Sequence, residues 1–186
     1  MKVILASNSP RRKELLAGLD IDFEVRVMGG IDESYPETMP TKDIAEYISK
    51  KKAQAYEITD DELLLTADTI VVLGNEVMGK PTDDTDARRM LRALAGNTHQ
   101  VITGVCLKSN RQERSFSVTT DVTFKNLTDE EIDYYIEKYK PFDKAGSYGI
   151  QEWIGYVGVT GLNGSYFNVM GLPVQRIYEE MKNFLK

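Results

Sequence analysis

Ser9-Pro10-Arg11-Arg12 sets two guanidiniums where a chain leaving an apolar run would start a helix. Free backbone N–H groups and the positive dipole end favour an anion there, whereas two cations oppose the dipole. Phosphate binding is one reading of the pair, and a solvated helix start is the other. Lys80 precedes Pro81, which suits either a positioned cation or an ordinary loop lysine. Asp68 lies immediately after one apolar run and before another. A carboxylate there has to be hydrogen-bonded, paired or metal-bound, because an isolated buried charge is too costly. An Asp closing an Asx-type turn is the plainer alternative. Glu33 in a polar stretch says nothing alone. Lys50-Lys51-Lys52 covers most of a helical turn, so these lysines point to different sides and cannot all face one site. Gln151 and Tyr148 lie in a glycine-containing stretch, where an amide either reads a ligand edge or closes a turn. Cations with one or two carboxylates fit a phosphate ester held with a divalent metal.

Several other chemistries fail on inventory. One histidine and one cysteine cannot build a His/Cys zinc site. No Gly-x-Gly-x-x-Gly is present. Gly74 to Lys80 spells the first seven positions of a P-loop, but Pro81 stands where a metal-binding hydroxyl and a helix start are needed. Ala145-Gly146-Ser147-Tyr148-Gly149 misses a serine-hydrolase elbow by its first glycine. Its sole candidate base, His99, opens a strand and reads as a structural hydrogen-bonding residue.

The rest of the chain has to position these groups. Its 186 residues predict one domain, 1–186. With 41% hydrophobic residues, a chain of this size buries about 70% of its unfolded surface without a metal or disulfide staple. Basic residues number 23 against 29 acidic, a net charge of −6. That balance argues against a broad nucleic-acid or anionic-membrane surface, while leaving room for a local cation cluster around a small polyanion. Cys106 is the sole cysteine, so no intramolecular disulfide forms and a cytoplasmic setting is expected. The opening Met-Lys-Val-Ile-Leu-Ala turns polar too soon for a signal-peptide core, and no run reaches the ~18 apolar residues of a membrane span.

Val3 to Ala6 predicts a buried strand, with Ser9 as N-cap and Pro10 at the first position of a helix bearing Leu15, Leu16 and Leu19. Phe23 to Val27 alternates like a strand. A polar segment with Gly29, Gly30, Pro36 and Pro40 follows as a long functional loop, and Thr41 opens a second helix. Leu63 to Thr66 and Thr69 to Leu73 are β-rich runs interrupted at Ala67-Asp68, with a turn at Gly74-Asn75. Asp83 or Asp84 caps a helix with Ala87, Met90, Leu91 and Leu94 at i, i+3, i+4 and i+7, stopped by Gly96. Gln100 to Leu107 and Phe116 to Phe124 form a hairpin. Thr128 and Glu131 make a capping box. Trp153 to Val159 is assigned as a strand, and Pro173 starts the last helix. The sum is an α/β domain with a mixed sheet.

The motif Ser7-Asn8-Ser9-Pro10-Arg11-Arg12-Lys13-Glu14-Leu15-Leu16 resembles the Maf family of nucleoside triphosphate pyrophosphatases. The resemblance continues through Lys52-Ala53-Gln54-Ala55, Ala67-Asp68-Thr69, Gly79-Lys80-Pro81, His99-Gln100-Val101 and Thr103-Gly104-Val105. It closes with Asp143 to Gln151, Gly164-Ser165-Tyr166 and Gly171-Leu172-Pro173, spanning almost the whole chain in order. It implies a mixed, elongated central sheet with flanking helices and two lobes around a cleft, often in a homodimer. It implies hydrolysis of a nucleoside triphosphate to monophosphate and pyrophosphate with a divalent cation, Mg²⁺ or Mn²⁺. By resemblance Asp68 is the catalytic carboxylate. Arg11, Arg12, Lys52 and Lys80 become phosphate-handling cations, joined by Ser7, Ser9 and Glu33. Asp68 and Glu33 are the metal candidates, and whether Asp68 takes a proton or holds metal stays open.

The dTTP/UTP pyrophosphatases of that family carry Arg after Ser-Pro, Thr after the catalytic Asp and Gln after Tyr-Gly-Ile. Arg11, Thr69 and Gln151 match all three. A glutamine amide can accept the N3–H of uracil or thymine while donating to a neighbouring carbonyl, and cytosine lacks that N3–H. The resemblance thus implies removal of dTTP, UTP and modified pyrimidine triphosphates. The alternatives are a 7-methyl-GTP pyrophosphatase, which those three residues disfavour, and a nucleotide-binding regulator of septum formation.

Overall fold

The computed structural model describes residues 1–185. In chain order it runs β1 (Lys2–Leu5), α1 (Pro10–Ala17), β2 (Phe23–Val25), α2 (Thr41–Gln54), β3 (Glu62–Leu73), β4 (Glu76–Met78) and α3 (Asp84–Leu94). It continues with β5 (Thr98–Lys108), β6 (Glu113–Phe124), α4 (Asp129–Tyr139), α5 (Trp153–Gly158), β7 (Val159–Asn163), α6 (Tyr166–Met170) and α7 (Val174–Met181). The strands form a seven-stranded sheet ordered β2-β1-β3-β5-β6-β7, with β4 paired to β3. β1 runs parallel to β2 and β3, whereas β4 and β7 are antiparallel to β3 and β6. The mixed α/β class expected from the sequence is the class observed.

The chain divides into two compact units. The first holds Met1–Thr69, Thr103–Val118 and residues 171–185, and the second holds Ile70–Ile102 and Thr119–Met170. β3, β5 and β6 each cross from one to the other along the chain. In the first unit, Val3, Ile4 and Leu5 of β1 and Leu63, Leu64 and Leu65 of β3 are buried together with Leu16, Ile44, Ala45 and Ala53 of the helices. In the second, α3 buries the predicted stripe of Ala87, Met90, Leu91 and Leu94 in a core shared with Phe124, Tyr135 and Tyr148. Asp83 caps α3 by accepting the Asp86 N–H at 2.8 Å, and the Thr128–Glu131 box closes both ways on α4. Among the described residues no helix is long and apolar enough to cross a membrane.

Several elements depart from expectation. β3 is one strand of 12 residues, so Ala67-Asp68 is no break and Asp68 lies within it rather than in an Asx turn. The polar residues survive there because they are compensated: Thr66 donates to the Ser49 carbonyl at 2.6 Å, and Asp68 pairs with Lys52. Trp153 to Gly158 is a helix, not a strand. A Cβ on Gly155 would lie 1.7 Å from the Ile150 carbonyl oxygen, so only glycine lets this turn fold back on Ile150. That packing overrides the β propensity of Trp153, Ile154, Tyr156 and Val157. Finally, β7 has no counterpart among the expected strands, and none of the expected helices corresponds to the short α6. Its start is marked by Ser165, whose Oγ accepts the Asn168 N–H at 3.2 Å.

His99 and the two near-miss motifs take structural parts. His99 Nε2 meets the Tyr148 hydroxyl at 2.5 Å, and its ring stands edge-on to Phe124 and Tyr148. Ser147 is buried and donates to the Met90 sulfur, while Gly74-Asn75 is the turn of the β3–β4 hairpin rather than a phosphate loop. Burial holds the His99 pKa down at about 4, against 6.5 when unfolded. The unfolded chain therefore takes up this proton near pH 6.5 and the folded chain only near 4. The stabilisation is complete above pH 6.5 and fades as pH falls through that window, by on the order of 3 kcal/mol. His99→Gln, which does not titrate, is expected to flatten the fall in Tm between pH 6.5 and 4. Parallel melting curves for both proteins across that range would remove His99 as its cause.

Candidate active site

Strand alternation explains how β3 presents its polar residues. Thr66 and Asp68, two apart, both reach α2, through the Ser49 carbonyl and Lys52 respectively. Thr69 instead shares a hydrogen bond of 2.9 Å with Thr103 Oγ1 on β5. Lys52 Nζ is 2.9 Å from Asp68 Oδ1, 3.2 Å from Glu33 Oε1 and 3.3 Å from the Ala67 carbonyl. The Lys52 and Asp68 side chains are each only 14% exposed, against 58% for Glu33. The inner pair is thus screened far less than a surface ion pair, and the outer carboxylate remains open to solvent.

The three lysines of α2 go to three places, as their spacing requires. Lys50 approaches Glu113, Lys51 holds the Asp32 carboxylate and the Ser34 carbonyl at 2.8 Å each, and Lys52 takes Asp68. Lys51 pins the long loop at the residues on both sides of Glu33, and Lys52 contacts Glu33 itself. Asp32 also accepts from the Ser34 hydroxyl and N–H, and with Lys51 these hold its carboxyl well below the usual range.

At the start of α1, Ser9 Oγ accepts the Arg12 N–H at 3.4 Å and Ser7 Oγ accepts the Ser9 N–H at 3.2 Å. The Arg12 guanidinium donates from Nε to the Gly171 carbonyl at 2.8 Å, from Nη1 to Ala67 at 3.1 Å and from Nη2 to Thr69 Oγ1 at 3.0 Å. It braces the backbone just before Asp68 and the side chain just after it. Three of its five N–H donors are so engaged. Burial is the strongest influence on Arg12 and lowers its pKa, Asp68 opposes that, and Arg11 adds a further lowering.

The first unit therefore brings together Ser7, Ser9, Arg12, Glu33, Lys52, Asp68 and Thr69, with Arg11 adjoining in sequence and in its electrostatic effect. Lys80 and Gln151 belong to the second unit. There Lys80 is exposed just beyond β4, and the Gly79 carbonyl accepts the Gly146 N–H at 3.1 Å, which ties that segment to the stretch leading to Gln151. Gln151 Oε1 is buried with no hydrogen-bond partner among the described residues. Sequence reasoning missed Thr103, the Gly171 carbonyl and the Lys51–Asp32 clamp. The first two lie in motifs that carry the family resemblance, but a role through tertiary contact leaves no local pattern.

Among the described residues, no three His, Cys, Asp or Glu side chains come together as a metal cage. Asp68 and Glu33 meet through Lys52. Lys52 engages Oδ1 of Asp68. Oδ2 and the exposed Glu33 carboxylate are hard oxygen donors. Such a set cannot enclose an ion, but it fits Mg²⁺ or Mn²⁺, which take one or two carboxylates and complete their shell with water and substrate phosphate oxygens.

A family model described as Maf-like protein matches residues 2–184. A dTTP/UTP pyrophosphatase of Phocaeicola vulgatus is 64% identical over 183 residues, covering 97% of this chain and 95% of that protein. One from Parabacteroides distasonis is 60% identical over 185 residues, covering 98% and 96%. Among solved structures, a nucleoside-triphosphatase / dITP/XTP pyrophosphatase of Mycobacterium abscessus covers 98% of this chain and 95% of its own at 14% identity. Its TM-score of 0.40 is too low to bear on the site. The motif clusters around Asp68 and the match along residues 2–184 agree: this chain belongs to the Maf family.

Proposed function

We propose that this protein hydrolyses dTTP and UTP, and pyrimidine triphosphates modified on the base, to the nucleoside monophosphate and pyrophosphate. The observation that carries the reading is the Asp68 carboxylate, held 2.9 Å from Lys52 and within the field of Arg12. The relatives named dTTP/UTP pyrophosphatase, identical at 64% and 60% of positions, support the substrate class.

In this reading the triphosphate enters among the cations of α1 and α2, and its negative charge displaces part of the hold of Lys52 on the two carboxylates. Lys52, Arg11 and Lys80 stabilise charge that builds on the phosphoryl oxygens in the transition state. Arg12 has two donors left for a phosphate oxygen, while two others brace Ala67 and Thr69 on either side of Asp68 and the fifth holds Gly171. The hydroxyls of Ser7 and Ser9 accept from the backbone and so keep their protons to donate. Asp68 orients or deprotonates the attacking water. A divalent cation on Asp68, Glu33 and the phosphates would supply Lewis-acid charge neutralisation.

Gln151 reads the base, accepting the N3–H of uracil or thymine with the carbonyl oxygen that has no partner among the described residues. Arg11 and Thr69 complete the discrimination against 7-methyl-GTP. The natural setting is the cytoplasm, consistent with a buried Cys106 whose thiol pKa is pushed up to about 12, chiefly by burial. A homodimer is compatible with this reading.

The test separates dTTP, UTP, CTP, ATP and 7-methyl-GTP with Mg²⁺ or Mn²⁺, with products read by chromatography and phosphorus NMR. Monophosphate and pyrophosphate from dTTP and UTP are expected. Turnover confined to 7-methyl-GTP would overturn the specificity assignment, and binding without turnover would favour the septum regulator.

A further inference from the structure

The turn that carries Gln151 is closed by side chains that the chemistry above leaves unused. The Glu152 N–H donates to the Gly149 carbonyl at 3.0 Å, which makes Ile150 and Gln151 the central residues of the turn. The hydroxyl of Tyr135, from α4, accepts the Gly149 N–H at 3.0 Å and donates to Glu152 Oε1 at 2.9 Å. Lys144 Nζ reaches the same Oε1 at 3.3 Å and Asp143 at 3.0 Å. A relay from Gly149 through Tyr135 to Glu152, with Lys144 on the same carboxylate oxygen, thus staples both ends of the turn.

The packing leaves the staple little freedom. A Cβ on Gly149 would lie 2.6 Å from Glu152 Oε1, and one on Gly155 would strike the Ile150 carbonyl, so α5 presses on the turn from the other side. Tyr135 is fully buried, and burial pushes its phenol pKa up, so it remains a hydrogen-bond donor. Against this, Gln151 Oε1 is buried without a partner among the described residues. A buried carbonyl left unpaired is unfavourable, and a free turn would rotate the amide toward water or a backbone N–H. The surroundings must hold it.

We propose that Tyr135 and Glu152 are positioning residues for base selection, holding the Gln151 turn so that its carbonyl stays unsatisfied until a base N–H reaches it. This rests on the reading of Gln151 given above. Neither residue touches substrate in this account. They act through the turn, by keeping an acceptor ready for the N3–H that uracil and thymine have and cytosine lacks.

The experiment measures kcat/KM for UTP and CTP in the parent protein and in Tyr135→Phe, Glu152→Ala, Glu152→Gln and Gln151→Ala. The UTP/CTP ratio is expected to fall about 10-fold in Tyr135→Phe and Glu152→Ala, through a raised KM for UTP with kcat little changed. Glu152→Gln keeps an acceptor oxygen for Tyr135 and is expected to restore most of the ratio. A merely structural role would lower Tm and reduce turnover of both substrates together, leaving the ratio where it was. If Glu152→Ala does not fold, Tyr135→Phe decides alone. A ratio that collapses in Gln151→Ala but survives in Tyr135→Phe overturns the positioning role and leaves the base reading intact. A ratio unmoved in Gln151→Ala overturns both.

Discussion

Asp68→Asn is expected to yield a folded protein that turns over dTTP about 10³-fold more slowly than the parent, or worse. Asparagine keeps the size of the side chain and one oxygen that can accept from Lys52, so the 2.9 Å contact has a replacement and β3 has no reason to part. What disappears is the negative charge. If Asp68 removes a proton from water, the amide cannot, and kcat falls at every concentration of divalent cation. If Asp68 chiefly holds the cation, part of the loss is recovered by raising Mg²⁺ or Mn²⁺, and half-activation shifts to higher concentration. Steady-state kinetics across a metal titration separate the two, with circular dichroism and Tm as the check on folding. Retention of more than about a tenth of parental turnover would sink both roles, since either general-base or metal-ligand loss is larger than that.

Legibility in the sequence followed how local each determinant is. Ser9 as N-cap with Pro10 behind it, the Asp83 cap, the Thr128–Glu131 box and the stripe on α3 all act within one turn of helix, and all are where the residues put them. The elements misread depend on partners distant along the chain. Ala67-Asp68 looks like a break because a charged residue inside a buried strand is costly, until Lys52 from α2 supplies the counter-charge 16 residues away. Trp153 to Gly158 carries strand-forming residues, yet the close approach of Gly155 to Ile150 makes it a helix. The candidate site divides in the same way. Residue types gave the cations and the carboxylate, and resemblance gave their roles. That the Arg12 guanidinium is spent largely on Gly171, Ala67 and Thr69 could not be read from a motif that groups it with Arg11.

Gly104→Ala is the substitution expected to cost most stability for the fewest atoms. A Cβ built on Gly104 of β5 would lie 2.2 Å from the Ala45 carbonyl carbon and the Glu46 nitrogen, and 2.3 Å from the Ala45 oxygen. All three are backbone atoms inside α2, so no side chain can swing aside, and the helix itself would have to lift by more than an ångström to restore van der Waals contact. That helix buries Ile44, Ala45 and Ile48, accepts from Thr66 at Ser49, and carries Lys52 to Asp68. Overpacking of this kind costs about 3 kcal/mol or more, which in a chain of this length lowers Tm by roughly 10 °C. Gly161→Ala on β7 is the matched control, because its Cβ would meet Thr123 at an ordinary 3.6 Å, and its Tm should stay within about 2 °C of the parent. In Gly104→Ala the displaced helix also draws Lys52 from Asp68, so kcat/KM for dTTP should fall even at temperatures where the variant is fully folded. A Tm as close to the parent as that of Gly161→Ala would mean that α2 can yield at this crossing. In that case the spacing between β5 and α2 would not be what sets the position of Lys52.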